Sequence, residues 1–121
     1  MKGKKKVLLV DDERAILKVL SIKLRISGYD VVTAPGGQEA LDLVKSECPD
    51  IMLLDVIMPG IDGFGVLQKL RAFSELPVIV FSARPENAQK ALSLGANDFI
   101  AKPLDVDDLV KRITLSLDHK A

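Results

Sequence analysis

The chain has 121 residues, of which 48% are hydrophobic and 28% charged, and we expect one globular domain over residues 1–121. Lysine plus arginine equals aspartate plus glutamate at 17 each, so the net charge gives no reason to expect a nucleic-acid or membrane partner. The single cysteine, Cys48, excludes an internal disulfide, no apolar run approaches a membrane span, and we expect a cytoplasmic protein.

Short apolar runs alternate with helical patterns along the chain, and Gly28 and Gly95 are expected to terminate the first and fourth helices. In chain order, the predicted strands cover 7–10, 31–34, 51–54, 78–81 and 99–101, and the second of them is short. One helix is predicted after each strand. The first is indicated by Ile16, Leu17, Leu20 and Leu24, the second by Ala40, Leu41 and Val44, and the third by Phe64, Leu67 and Leu70. The fourth covers 86–94, and the fifth is an amphipathic helix indicated by Leu109, Val110, Ile113 and Leu117, with Asp105 as its N-cap.

This alternation predicts an α/β fold in which five βα units form a parallel five-stranded sheet with right-handed crossovers. We expect the flavodoxin-like, doubly wound strand order 2-1-3-4-5, in which strands one and three are neighbours at the topological switch point. Sites in such sheets form beyond the carboxyl ends of the strands. The residues that follow the strands are therefore the candidate site.

Carboxylates follow the first and third strands. Asp11 and Asp12 would repel each other unless a cation lies between them, which favours Mg²⁺; the other interpretation is a helix N-cap followed by a first-turn acid. Asp55 ends the most apolar strand, where a carboxylate is costly to desolvate unless it faces a cleft. Strand order 2-1-3-4-5 would place all three carboxylates in one pocket.

A hydroxyl and an ammonium follow the fourth and fifth strands. Ser82 alone says little, because serine is common in turns. Lys102 is either a surface lysine or, at the end of a short buried strand, a cation that pairs with the carboxylates. The bond from Lys102 to Pro103 is predicted to be cis.

Four stretches resemble the receiver domain of two-component response regulators, and the resemblance covers nearly the whole chain. They are Val10-Asp11-Asp12, the run from Leu54 to Gly63, Phe81-Ser82-Ala83, and the run from Gly95 to Pro103. Each stretch is weakly specific alone. All four, in this order and at these spacings, are highly specific.

The resemblance implies a role for each site residue. Asp55 is expected to accept a phosphoryl group, and Asp11, Asp12 and Asp55, with the backbone carbonyl of Ile57, are expected to bind Mg²⁺, for which Mn²⁺ can substitute. Lys102 is expected to pair with a phosphoryl oxygen. Ser82 and Phe99 are expected to act as the switch hydroxyl and the switch aromatic residue.

The resemblance also implies partners. The phosphoryl donor would be a sensor histidine kinase or a histidine phosphotransfer protein, and an unknown output partner would bind the face formed by helix four, strand five and helix five. No direct nucleic-acid contact is expected. The chain would catalyse only its own phosphorylation and dephosphorylation, and so is not expected to be an enzyme acting on other substrates.

Two further implications concern oligomeric state and signal lifetime. Receivers of one DNA-binding subfamily pair through the same face by three charged contacts, of which only that between Asp98 and Arg112 is retained, so we expect a monomer or weak dimer. The residues two positions beyond the phospho-acceptor and two beyond the switch hydroxyl flank the path of the attacking water. Here they are Ile57 and Arg84.

Two other functions remain possible from the residues. A phosphatase-like hydrolase with an aspartate nucleophile would carry that aspartate after the first strand and a second acid two residues on, which here is Glu13. A flavodoxin-like mononucleotide binder would need a phosphate loop rich in serine, threonine or glycine after strand one. The acidic stretch 11–14 would repel phosphate there.

Overall fold

The structure is a computed structural model that describes residues 3–118, so the ends of the predicted domain, residues 1–2 and 119–121, lie outside the described residues. Strands and helices alternate as predicted. They are β1 (Lys6–Val10), α1 (Arg14–Ile26), β2 (Asp30–Ala34), α2 (Gly37–Glu47), β3 (Ile51–Asp55), α3 (Gly63–Arg71), β4 (Val78–Ser82), α4 (Asn87–Ser93), β5 (Asp98–Ala101) and α5 (Val106–Asp118).

The five strands form one parallel sheet in the order β2-β1-β3-β4-β5. This confirms the predicted flavodoxin-like topology. The register between β1 and β3 pairs Val10 with Leu54, so the residues that follow these two strands emerge side by side. The chain therefore brings Asp11 and Asp55 to the same edge of the sheet.

Helices cover both faces of the sheet, because alternate strand residues point to opposite sides. One core cluster joins the sheet to α2, α3 and α4 through residues such as Leu54 and Leu67. The other joins it to α1 and α5 through residues such as Leu53 and Leu109. Within residues 3–118, no helix combines the length and apolar character needed to cross a membrane.

Most helix ends fall where the sequence places them. Gly28 and Gly95 follow α1 and α4 with φ of +101° and +106°. The Asp105 carboxylate accepts hydrogen bonds from the backbone N–H of Asp107 and Asp108, as expected of the N-cap of α5. Helix α4 spans Asn87–Ser93 and is one residue shorter at each end than the predicted 86–94, because the preceding turn extends through Glu86. The Lys102-Pro103 bond is cis, as predicted.

Candidate functional site

The two central carboxylates lie on the α1–α5 side of the sheet. Asp55 continues the alternation of Ile51 and Leu53, whose side chains pack on that face. Asp11 follows β1 in phase with Leu9, and its backbone N–H donates to the carbonyl of Ala34 at 3.2 Å, which extends the strand ladder by one bond. The pleat of two neighbouring strands thus aims both carboxylates at one place.

Three carboxylates meet at this edge of the sheet. Asp11, Asp12 and Asp55 each place an oxygen within 4.8 Å of the others. Asp11 is fully buried and Asp55 nearly so, whereas Asp12 is exposed. The cluster is therefore a cleft that opens to solvent on the Asp12 side.

The Lys102 side chain supplies a cation to this cleft. Its Nζ lies 3.4 Å from Asp55 Oδ1 and 3.6 Å from Asp11 Oδ2, and only 18% of its side chain is exposed. Of the two interpretations left open by the sequence, the surface lysine is wrong. The lysine pairs with the carboxylates.

One ammonium does not compensate for this much buried negative charge. Burial and the neighbouring charge of Asp11 together raise the pKa of Asp55 to about 6, against the opposing effect of Lys102. Burial also raises the pKa of Asp11, although the N–H of Glu13 and Lys102 oppose the change. The site is therefore short of positive charge at neutral pH.

The donor set fits a hard divalent cation. Asp11 Oδ1 accepts a hydrogen bond from the Glu13 N–H at 2.9 Å, but the buried Asp11 Oδ2 has no hydrogen-bond partner. A buried carboxylate oxygen without a hydrogen bond, beside two more carboxylates, is an arrangement that Mg²⁺ would satisfy. The N-cap interpretation of the pair Asp11 and Asp12 is not supported, since the N-cap of α1 is Glu13 and its first turn contains no acid.

The Ser82 hydroxyl is fully buried at the end of β4 and faces α4. Its oxygen accepts hydrogen bonds from the backbone N–H of Arg84 at 3.1 Å and from Asn87 Nδ2 at 3.0 Å. Within residues 3–118, no hydrogen bond joins Ser82 Oγ to Asp55 or Lys102. The Asn87 contact could not be inferred from the sequence, because it depends on the path of the turn between β4 and α4.

The sequence model of the response regulator receiver domain family matches residues 7–114, which hold all of these side chains. The chain belongs to this family. It is thus the receiver domain of a two-component response regulator.

Relatives and solved structures agree with this assignment. The probable transcriptional regulator ycf27 of Guillardia theta is 44% identical over 115 residues, covering 93% of this chain and 45% of that protein. The Francisella response regulator 1452 receiver domain is 32% identical with a TM-score of 0.91, covering 97% of this chain and 99% of that one. The BeF3-activated N-terminal receiver domain of Klebsiella pneumoniae RstA is 30% identical with a TM-score of 0.89, covering 93% and 98%.

The receiver domain spans less than half the length of the curated relatives it matches. It covers nearly all of the solved receiver structures. The similarity to the longer regulators therefore concerns their receiver part.

The predicted site of this receiver domain includes two more residues, Ile57 and Phe99. Ile57 lies two residues beyond Asp55, and 56% of it is exposed. Phe99 is half-buried on β5, where it is in register with Val80 and packs against the core on the α2–α4 side. The metal contact of the Ile57 carbonyl and the switching role of Phe99 remain predictions.

Gly63 is a site residue that sequence reasoning did not single out. Its N–H donates to the Val56 carbonyl at 2.8 Å, which brings the start of α3 against the end of β3. A Cβ at this position would lie 2.7 Å from the Val56 Cα and closer still to the Asp55 carbonyl oxygen. Only glycine allows this approach without moving the end of β3.

Proposed function

We propose that this receiver domain accepts a phosphoryl group on Asp55 from the phosphohistidine of a sensor histidine kinase or a histidine phosphotransfer protein. The observation that carries the proposal is the Asp55 carboxylate, nearly buried, held between two further aspartates and the Lys102 ammonium. Family membership supports the same conclusion. Catalysis would be limited to the domain's own phosphorylation and dephosphorylation.

The chemistry is a transfer between two nucleophiles. An ionised Asp55 oxygen attacks phosphorus, the P–O bond forms as the P–N bond breaks, and the departing imidazole nitrogen keeps the electron pair and takes a proton. Phosphoryl transfer needs positioning and charge neutralisation more than covalent assistance. Lys102, already 3.4 Å from Asp55, is placed to pair with a phosphoryl oxygen.

Asp11, Asp12 and Asp55, with the Ile57 carbonyl, would hold Mg²⁺. When bound, the ion neutralises part of the negative charge on the phosphoryl oxygens. Asp11 contributes the buried oxygen that lacks a hydrogen-bond partner, and Asp12 contributes an exposed carboxylate at the mouth of the cleft. Mn²⁺, which accepts the same oxygen ligands, would substitute.

An apolar groove beside the site supports docking of the donor protein there. It runs between α1 and the segment after β5, and Lys102 lies in both the groove and the site. Val19, on its rim, is 53% exposed. The groove-lining residues are Ala15, Ile16, Val19, Leu20, Ala83, Lys102, Pro103, Leu104 and Val106.

Incubation with acetyl phosphate and Mg²⁺, followed by mapping of the adduct, tests the acceptor. We expect the label on Asp55 alone, no stable adduct in Asp55→Asn, and normal labelling of Asp30→Asn, which alters an exposed strand carboxylate. Wild-type labelling of Asp55→Asn would refute the assignment.

Docking is tested separately by comparing two exposed residues of α1. Val19→Glu should slow transfer from a phosphorylated histidine donor while leaving acetyl phosphate labelling unchanged. Ile26→Glu, at a position that is 79% exposed and outside the groove, is the matched control. Equal transfer rates for both variants would place the docking surface elsewhere.

The effector to which this receiver domain passes its signal remains a prediction. The ycf27 relatives are named as probable transcriptional regulators, so an effector that acts on DNA, signalled through the α4-β5-α5 face, is the output we propose. Direct nucleic-acid contact by the receiver itself is not part of the proposal, and its cytoplasmic location stays a prediction. No specific observation favours the phosphatase-like or mononucleotide-binding alternative.

A further inference from the structure

Ser82 is joined to α4 through Asn87, the first residue of that helix. The bond from Asn87 Nδ2 to Ser82 Oγ is the single side-chain hydrogen bond between α4 and a strand within residues 3–118. The only side-chain hydrogen bond inside the described α4 joins Ser93 to Lys90 at its far end. Asn87 thus ties the start of a seven-residue helix to the sheet.

The position of the Ser82 hydroxyl oxygen is held by two hydrogen-bond donors. A hydroxyl oxygen accepts two hydrogen bonds, and the Arg84 N–H and the Asn87 amide occupy both acceptor positions. Both donors belong to the segment that leads from β4 into α4, with Arg84 in the turn and Asn87 at the start of the helix. The hydroxyl hydrogen remains free to donate, and drawing the Ser82 side chain toward a phosphoryl oxygen on Asp55 would pull its oxygen away from the Asn87 amide.

We propose that Asn87 is a positioning residue that holds the Ser82 hydroxyl in the unphosphorylated arrangement and releases the first turn of α4 when Asp55 is phosphorylated. The inference rests on the proposed function of Asp55. Helix α4 has no side-chain N-cap, because Glu86 makes no capping hydrogen bond. Loss of the Asn87 contact would therefore leave its first turn held only by backbone hydrogen bonds, from Asn87 to Arg84 and from Ala88 to Pro85.

Binding of beryllofluoride with Mg²⁺, measured by calorimetry, tests the proposal. Asn87→Ala removes a contact made only in the unphosphorylated state, so its affinity should rise by roughly two- to tenfold, the range expected for one net hydrogen bond. Asn87→Asp keeps an oxygen that can bond Ser82 and should not tighten binding. Gln89→Ala, at an exposed position of the same helix, should match the wild type.

A double-mutant cycle separates positioning from a general effect on the helix. In a Ser82→Ala background, Asn87→Ala should no longer change beryllofluoride affinity. Hydrogen exchange gives a second measure: the Asn87 and Ala88 amides should exchange faster when beryllofluoride binds the wild type, and be fast already in Asn87→Ala.

The outcomes distinguish the two proposals. Unchanged or weaker binding by Asn87→Ala, or an equal effect in both backgrounds, would overturn the role of Asn87 and leave Asp55 phosphorylation intact. Failure of the wild type to bind beryllofluoride in the presence of Mg²⁺ would overturn the proposed function itself, and the role of Asn87 with it.

Discussion

The Lys102 ammonium lies 3.4 Å from Asp55 Oδ1 although the lysine follows β5, which is separated from β3 by a whole strand. The long side chain crosses the end of β4, where its Nζ lies 5.2 Å from the centre of the Phe81 ring. Lys102 is therefore held over the site by an aromatic face and two carboxylates. We therefore expect Lys102 to pair with an incoming phosphoryl group.

Replacing Lys102 with alanine should reduce beryllofluoride affinity by roughly 10- to 100-fold, since a hydrogen bond to a charged group is worth about 1.5–3 kcal/mol. The pKa of Asp55 should rise above its present value of about 6, because Lys102 lowers it. Calorimetry and carboxyl NMR titration measure the two effects. The control Lys111→Ala, at an exposed lysine, should change neither the beryllofluoride affinity nor the pKa of Asp55. An unaltered Asp55 titration in Lys102→Ala would contradict the pairing of Lys102 with Asp55.

The stability of the metal-free protein should depend on the protonation of Asp55. Its folded-state pKa of about 6 exceeds its ordinary value of 3.8, so the folded state binds the proton more tightly than the unfolded state. The free energy of unfolding is then highest below pH 4 for this group and falls as pH rises through about 6. The substitution Asp55→Asn should remove this fall in the free energy of unfolding.

Urea denaturation at pH 5 and pH 7.5 without metal checks this prediction. Above pH 6 we expect Asp55→Asn to be more stable than the wild type by on the order of 1–3 kcal/mol, since one pKa unit corresponds to about 1.4 kcal/mol. Part of the pH dependence should persist, because the pKa of Asp11 is also raised by burial. Identical pH slopes for the two proteins would show that Asp55 does not titrate as described.

Magnesium affinity should depend on Asp12, although its side chain is exposed. Asp12→Ala removes one of three clustered carboxylates and should weaken Mg²⁺ binding by roughly tenfold or more, or about 1.4 kcal/mol. Because the Asp12 charge raises the pKa of both Asp11 and Asp55, its removal should also slightly stabilise the metal-free protein. Calorimetry and thermal unfolding measure these changes, with Asp30→Ala as the control; unchanged Mg²⁺ affinity would exclude Asp12 as a ligand.

The fold was predictable because the strong local signals in this sequence agree with one another. Apolar runs such as 51–54 are bounded by polar residues, and Gly28 and Gly95 fall where helices end. Convergence of Asp11 and Asp55 followed from strand order alone. The pairing of Lys102 with these carboxylates could not be derived from strand order, because a lysine after a strand is usually solvated. Only the three-dimensional site shows where its side chain reaches.

Two other features could not be predicted in the same way. The contact between Asn87 and Ser82 depends on how the turn 83–86 folds, and no periodicity encodes a turn of this kind. The close approach at Gly63 depends on the distance between the start of α3 and the end of β3. Both features arise from loop geometry, which local sequence patterns determine least.

Dimerisation through the α4-β5-α5 face should be weak or absent. Arg112, the cation of the one charged contact that the sequence retains, is already bonded within the chain to Asp98 at 3.0 Å and to Asp108 at 3.1 Å. If Arg112 paired instead with Asp98 of a second copy, that contact would only replace the ion pairs that Arg112 already makes. Exposed ion pairs are worth only ~0–1 kcal/mol each. Sedimentation of a beryllofluoride-treated sample should give a monomer or weakly associating species; a tight dimer lost in Arg112→Ala would contradict this.

The phosphoryl group on Asp55 should be long-lived, because neither side chain beside the proposed path of the attacking water can assist hydrolysis. Ile57, which is 56% exposed, neither donates nor accepts a hydrogen bond through its side chain and should shield the phosphorus. Arg84 is exposed after Ser82 and can cover a phosphoryl oxygen, but its guanidinium has only donors and cannot accept a proton from water. Loss of label from the purified phosphoprotein in Mg²⁺ buffer measures the lifetime. The double variant Ile57→Asn with Arg84→Glu should lose its label faster, because the new side chains can orient water.

The control variant Leu92→Asn, at an exposed apolar residue of α4, should leave the rate of label loss unchanged. If the double variant decays no faster than the wild type, these two side chains do not set the lifetime.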